Sequence, residues 1–171
     1  MPDSKNKAIL DGLLEAMRAE HQGEHFYRMA ARATDNPKGK EVLSNLALEE
    51  REHAAFLKAQ YKSILKTGKA DKNRKLGEKN KLSGDSPIFS NDIRTRLKGA
   101  HAEMTNLSIG IQLEMSAMDH YGKLAKAADD PEVAAFFSEL REWETGHYRA
   151  LLEQYDALQD EYWDTNGFAP F

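Results

Sequence analysis

Glu50-Arg51-Glu52-His53 returns 94 residues later as Glu144-Thr145-Gly146-His147, and its surroundings return with it. Glu20 is followed by Tyr27 and then Asp35-Asn36-Pro37; at the same offset stand Glu114, Tyr121 and Asp129-Asp130-Pro131. The interval from Glu20 to Glu50 is 30 residues, and so is that from Glu114 to Glu144. A Glu-x-x-His step places both side chains on one face of a helix. One such step is weak evidence of anything. Two in register, each with a glutamate at a fixed upstream distance, form the constellation that holds two metal ions inside a four-helix bundle.

Working outward, the spacing predicts four helices over 4–34, 38–66, 91–128 and 132–162. Asn36-Pro37 and Asp130-Pro131 each place a capping side chain before a proline at the first helical position. Such short junctions make the flanking helices antiparallel neighbours. Apolar residues recur every three or four positions, and the candidate ligands interrupt them. The fourth helix reads Phe136, Leu140, Glu144, His147, Leu151; the second reads Leu46, Glu50, His53, Leu57. In the first, Leu13, Met17, Glu20 and Tyr27 share a face, as Leu107, Ile111, Glu114 and Tyr121 do in the third. Charge on the core side of a helix is tolerated only when paired or bound to metal.

The heights agree as well. Glu20 lies sixteen residues before Asn36 and Glu50 fourteen after it. At ~1.5 Å per residue both stand roughly 21–24 Å from the turn. The second hairpin repeats this arithmetic, so two packed hairpins bring all six groups to one level.

Composition narrows the chemistry. The 171 residues suit a single domain over 1–171, and with 28 acidic against 24 basic residues the net charge of −4 implies no nucleic-acid partner. No apolar run approaches the ~20 residues a bilayer span needs, which predicts no membrane association. The opening Met1-Pro2-Asp3-Ser4-Lys5 lacks a signal peptide's apolar stretch, so a cytoplasmic location is expected. With no cysteine, disulfides and thiolate metal sites are excluded, and any ion must sit on carboxylate and imidazole, a set suited to iron or manganese. Four glutamates balance two divalent ions, and two neutral imidazoles complete the shell. Glu50 and Glu144 are read as bridging carboxylates, His53 and His147 as terminal nitrogen ligands, Glu20 and Glu114 as terminal carboxylates. Tyr27 and Tyr121 either hydrogen-bond carboxylates from behind the ligands or are core tyrosines.

The crossover, about residues 62–90, is lysine-rich (Lys62, Lys66, Lys69, Lys72, Lys75, Lys79, Lys81) and reads as a solvated loop, or else as a basic docking surface. The aromatic tail 162–171, with Tyr162, Trp163, Phe168 and Phe171, either caps its helix or makes a dimer contact. His21, His25 and His101 read as surface residues, Glu24 and Glu52 as helix-surface charges. His120 and Trp143 read as packing, and Met17, Met104, Met115 and Met118 as core filler.

The phrases Glu20 to Tyr27, Glu50 to His53, Glu114 to Tyr121 and Glu144 to His147 resemble the rubrerythrin-like branch of the ferritin-like di-iron carboxylate superfamily. The resemblance covers about residues 8–158. It implies an all-α, ferritin-like antiparallel four-helix bundle of two repeated helix hairpins joined by a long crossover. It also implies two iron ions per chain, with manganese or zinc as substitutes, and reduction of hydrogen peroxide or dioxygen. Rubrerythrin proper carries a cysteine-ligated rubredoxin module, which this sequence lacks, so electrons are expected from a separate donor protein. The family's extra glutamate, one turn after the third-helix ligand, is replaced here by Ala117, with Gly23 at the matching place in the first repeat. The six-ligand set is thereby closer to bacterioferritin's. A homo-oligomer, dimer or larger, is expected. The alternatives are a ferroxidase or iron-storage protein, which needs a closed cage, and a non-catalytic interaction protein stapled by metal.

Overall fold

Helices form where the three-and-four spacing runs: α1 Ser4–Ala33, α2 Pro37–Thr67, α3 Ala100–Ala127 and α4 Pro131–Asn166. The computed structural model describes residues 4–34, 37–77 and 100–166, and among these there is no strand. α1 packs along α2 and α3 along α4 as two hairpins, and α1 also lies against α3. The protein is an all-α four-helix bundle made of two hairpins. At the start of α4, Glu132 N donates to Asp130 Oδ1 at 2.9 Å, the expected cap in front of Pro131. The matching cap at Asn36 lies outside the described residues.

α2 ends one residue past the expected 66, inside the lysine-rich stretch that begins at 62. α2 runs through residue 62 to Thr67, because Ile64 keeps to the core face at 3% exposed. It ends at Gly68, whose φ of +75° suits glycine and whose N–H bonds the Ile64 carbonyl at 2.8 Å. The stretch that follows is not simply solvated. Gln60, buried in α2, donates to the Asp71 carbonyl at 3.1 Å and accepts from the Asp71 N–H at 2.8 Å. Leu76 enters the core. Residues 78–99, including the expected first turns of the third helix, lie outside the described residues, as do 167–171. α4 continues four residues past the expected 162, carrying a partly exposed Trp163.

Two apolar clusters flank one polar layer. Leu10, Leu13, Phe56, Leu57, Tyr121, Phe136, Phe137 and Leu140 form one. Tyr27, Ala30, Leu43, Leu46, Leu107, Leu151 and Leu158 form the other. Along every helix the polar residues fall between members of the two clusters, at the positions of Glu20, Glu50, His53, Glu114, Glu144 and His147. The core thus fixes these groups laterally and keeps water from both ends of the layer.

Candidate metal centre

α1 contributes Glu20, α2 Glu50 and His53, α3 Glu114, and α4 Glu144 and His147. None is more than 4% exposed. They gather into two sets, Glu20, Glu50, His53 and Glu144 in one, and Glu50, Glu114, Glu144 and His147 in the other. Within each set the possible ligand atoms lie within 4.8 Å of one another. Glu50 and Glu144 belong to both, the position a bridging carboxylate requires. His53 Nδ1 is 2.9 Å from Glu144 Oε1 and 3.3 Å from Glu20 Oε2. His147 Nδ1 is 3.1 Å from Glu50 Oε1, 3.2 Å from Glu144 Oε2 and 3.7 Å from Glu114 Oε1. The two rings face each other, centroids 5.7 Å apart and planes at 15°.

Close approach here does not mean hydrogen bonding. Glu20 Oε2, Glu50 Oε1, both Glu144 oxygens and both Nδ1 atoms are buried without an aligned partner among the described residues. Lone pairs converging in this way, in a layer where orphaned polar atoms are costly, fit the coordination of two cations. The electrostatics agree. Burial, then the charges of Glu144 and Glu20, push the Glu50 carboxyl well up. Burial lifts Glu114 to about 8 against the pull of His147. Burial opposes the charged form of His53, yet the carboxylates of Glu144 and Glu20 outweigh it and raise this imidazole to about 10. His147 is raised in the same way, by Glu114, Glu144, Glu49 and Glu50. For Glu144 the upward push of burial is overcome by the two histidines, which hold its carboxyl below the usual range. Without cations the layer must hold protons instead.

The tyrosines reach across the molecule. Tyr27 of α1 donates to Glu114 of α3, and Tyr121 of α3 donates to Glu20 of α1. Burial, then neighbouring glutamates, raises both phenols well above their usual range, so both remain donors. Gly110 makes room for the first contact: a Cβ there would sit 3.3 Å from Tyr27 Cε1 and 3.1 Å from Leu151 Cδ1.

Sequence reasoning missed Glu49. It is buried, and His147 Nε2 approaches its Oε2 at 2.6 Å, on the side of the ring away from the cluster. The signal was present: position 49 is three residues after Leu46 and four before His53, so it too faces inward. The remaining expectations divide. His21, His25 and Glu52 are exposed, Glu24 is half-buried, and the side chain of His101 lies outside the described residues. His120 is half-buried and donates to the Gly12 carbonyl at 3.2 Å, a link between α3 and α1 as well as packing. Met115 is not core filler but 53% exposed.

A cleft of about 370 Å³ opens between α1 and α3 onto Glu20, Glu50, Glu114 and Glu144. Gly23 and Ala117 line it, with Gln22, Ser116 and His120 among its other walls. Small residues at these two places keep it open: a Cβ on Gly23 would come within 3.3 Å of the Glu50 carboxylate.

A family model described as Rubrerythrin matches residues 11–108, more than half of the chain. That span holds Glu20, Glu50 and His53; Glu114, Glu144 and His147 are reached through the repeat. No curated protein and no solved structure matches the chain. No described helix is long and apolar enough to cross a membrane. With the match, the bundle and the buried Glu/His cluster together, the chain belongs to the rubrerythrin family of di-iron carboxylate proteins.

Proposed function

We propose that the protein is a non-haem di-iron oxidoreductase that reduces hydrogen peroxide or dioxygen with electrons from a separate donor protein. The observation that carries this reading is the pair of ligand sets sharing Glu50 and Glu144 and opening onto a cleft. Glu50 and Glu144 would bridge two iron ions, His53 and His147 would bind through Nδ1, and Glu20 and Glu114 would close the two ends. Two ferrous ions supply two electrons and a Lewis-acid centre.

The chain's own part is geometry and exclusion of water. Tyr27 and Tyr121 hold Glu114 and Glu20 in place through their hydroxyls. The apolar clusters above and below leave the cleft between α1 and α3 as the route of approach for a small oxidant. With no cysteine in the sequence, the re-reducing electrons come from outside it. A homo-oligomer in the cytoplasm belongs to the same reading.

The test is anaerobic loading with two ferrous ions per chain, followed by optical measurement of oxidation by peroxide and by dioxygen in parallel. Rapid stoichiometric oxidation by peroxide, with a slow dioxygen reaction, is the expected result for a peroxidase. Fast dioxygen consumption with continued iron uptake would point to a ferroxidase, and no ferrous binding would remove the redox reading. Glu144→Ala should abolish paired binding; a variant still holding two ions tightly would overturn the ligand assignment.

A further inference from the structure

The two halves of the centre look alike ligand for ligand: glutamate, bridging glutamates, histidine, and a tyrosine from the other hairpin. Behind the histidines the likeness ends. His147 turns Nδ1 toward Glu50, Glu144 and Glu114, and places Nε2 2.6 Å from Glu49 Oε2. Glu49 and His147 are each only 2% exposed, so no solvent competes for that bond. Ninety-four residues on from Glu49 stands Trp143. It is buried against His53, ring centroids 5.0 Å apart and planes at 86°. An indole N–H only donates and cannot accept a proton from imidazole. His53 Nε2 has no hydrogen-bond partner among the described residues.

We propose that the two metal positions are inequivalent, and that Glu49 is the positioning residue that makes the His147 half bind a divalent ion first and more tightly. This rests on the dimetal reading above. A carboxylate that accepts from Nε2–H fixes the tautomer that leaves the Nδ1 lone pair free for a metal. It also makes that nitrogen more basic and brings an extra negative charge near the ion. Trp143, packed against His53, gives that ring neither effect, since an indole offers no acceptor and no negative charge. The His53 half therefore fills second, and its ion is the more readily lost. Glu49 touches the ring on the side away from the cluster, so it acts through His147 and is not itself a ligand.

The test is stepwise anaerobic titration of the full-length metal-free protein with Co²⁺, followed by absorption and calorimetry. The wild type should take up two ions in separable steps, the first at least about tenfold tighter. Glu49→Gln should weaken the first step by roughly 10- to 100-fold, the usual effect of losing such a partner, and leave the second nearly unchanged. A second pair of variants places the steps: His53→Ala should retain the tight ion, and His147→Ala should lose it. Two equal steps in the wild type, equal weakening of both by Glu49→Gln, or a tight ion surviving in His147→Ala would each overturn the proposal. Failure of the wild type to bind any Co²⁺ would be distinguishable from these, since it removes the dimetal reading as well.

Discussion

Metal-free protein should lose stability as pH rises from 5 to 8, and Glu114→Gln should remove part of that loss. The Glu114 carboxyl rises from 4.5 to about 8 on burial. Across that window the folded chain holds a proton that the unfolded chain has released, so stability falls with increasing pH. At about 1.4 kcal/mol for each pH step, this one group accounts for a loss on the order of 3 kcal/mol between pH 5 and 8. Glu50, pushed well up, acts in the same direction over this window, and His53, raised from 6.5 to about 10, and His147, also raised, do so above pH 6.5. Glu144, held low, would act oppositely, but only below the ordinary carboxylate range and so outside the window. Urea unfolding in the presence of a chelator, followed by helix circular dichroism, reads the effect directly. At about 2 kcal/mol per molar urea the wild-type midpoint should fall by ~1.5 M from Glu114 alone, with a shallower fall in Glu114→Gln. A wild-type midpoint that is flat or rising over this range, or a variant with an unchanged slope, would refute the reasoning. Saturation with a divalent ion should reverse the trend, because the ligands bind metal only in their deprotonated forms.

Tyr27→Phe removes the hydroxyl that donates to Glu114, and metal affinity should drop roughly 10- to 100-fold with helix content retained; competition with a chromophoric chelator measures it, and unchanged affinity would make Tyr27 a core residue only. Gly146→Ala should stabilise the protein by about 0.5–1 kcal/mol in the same urea assay, because a Cβ there meets nothing within 4 Å and alanine is the better helix former.

Much of the site was legible because it is made of local spacings. The three-residue step from Glu50 to His53 and the equal heights of Glu20 and Glu50 follow from helix geometry alone, and two registered copies leave little freedom. The partners of the tyrosines were not legible in the same way. Tyr27 lies on the face of Glu20 yet bonds Glu114, a pairing set by how the hairpins meet and not by any spacing within one helix. Glu49 escaped notice because it breaks the repeat, and a search for matching residues passes over a place where the copies differ. The end of α2 was legible for the same reason as the ligands: lysines at 62 and 66 look solvated, but Ile64 between them keeps the core spacing, so the helix expected to reach 66 ends at Thr67.

The exchange of tyrosines between hairpins bears on ancestry. Each ligand set draws on both hairpins, and each hairpin's phenol steadies the other's carboxylate. A forebear of half this length could have assembled such a centre only by meeting its twin across a true two-fold axis, with both copies of every residue obliged to be the same. Fusion into one chain lifts that obligation. Positions 49 and 143, where one repeat carries an acid and the other an indole, are a buried pair that uses that freedom.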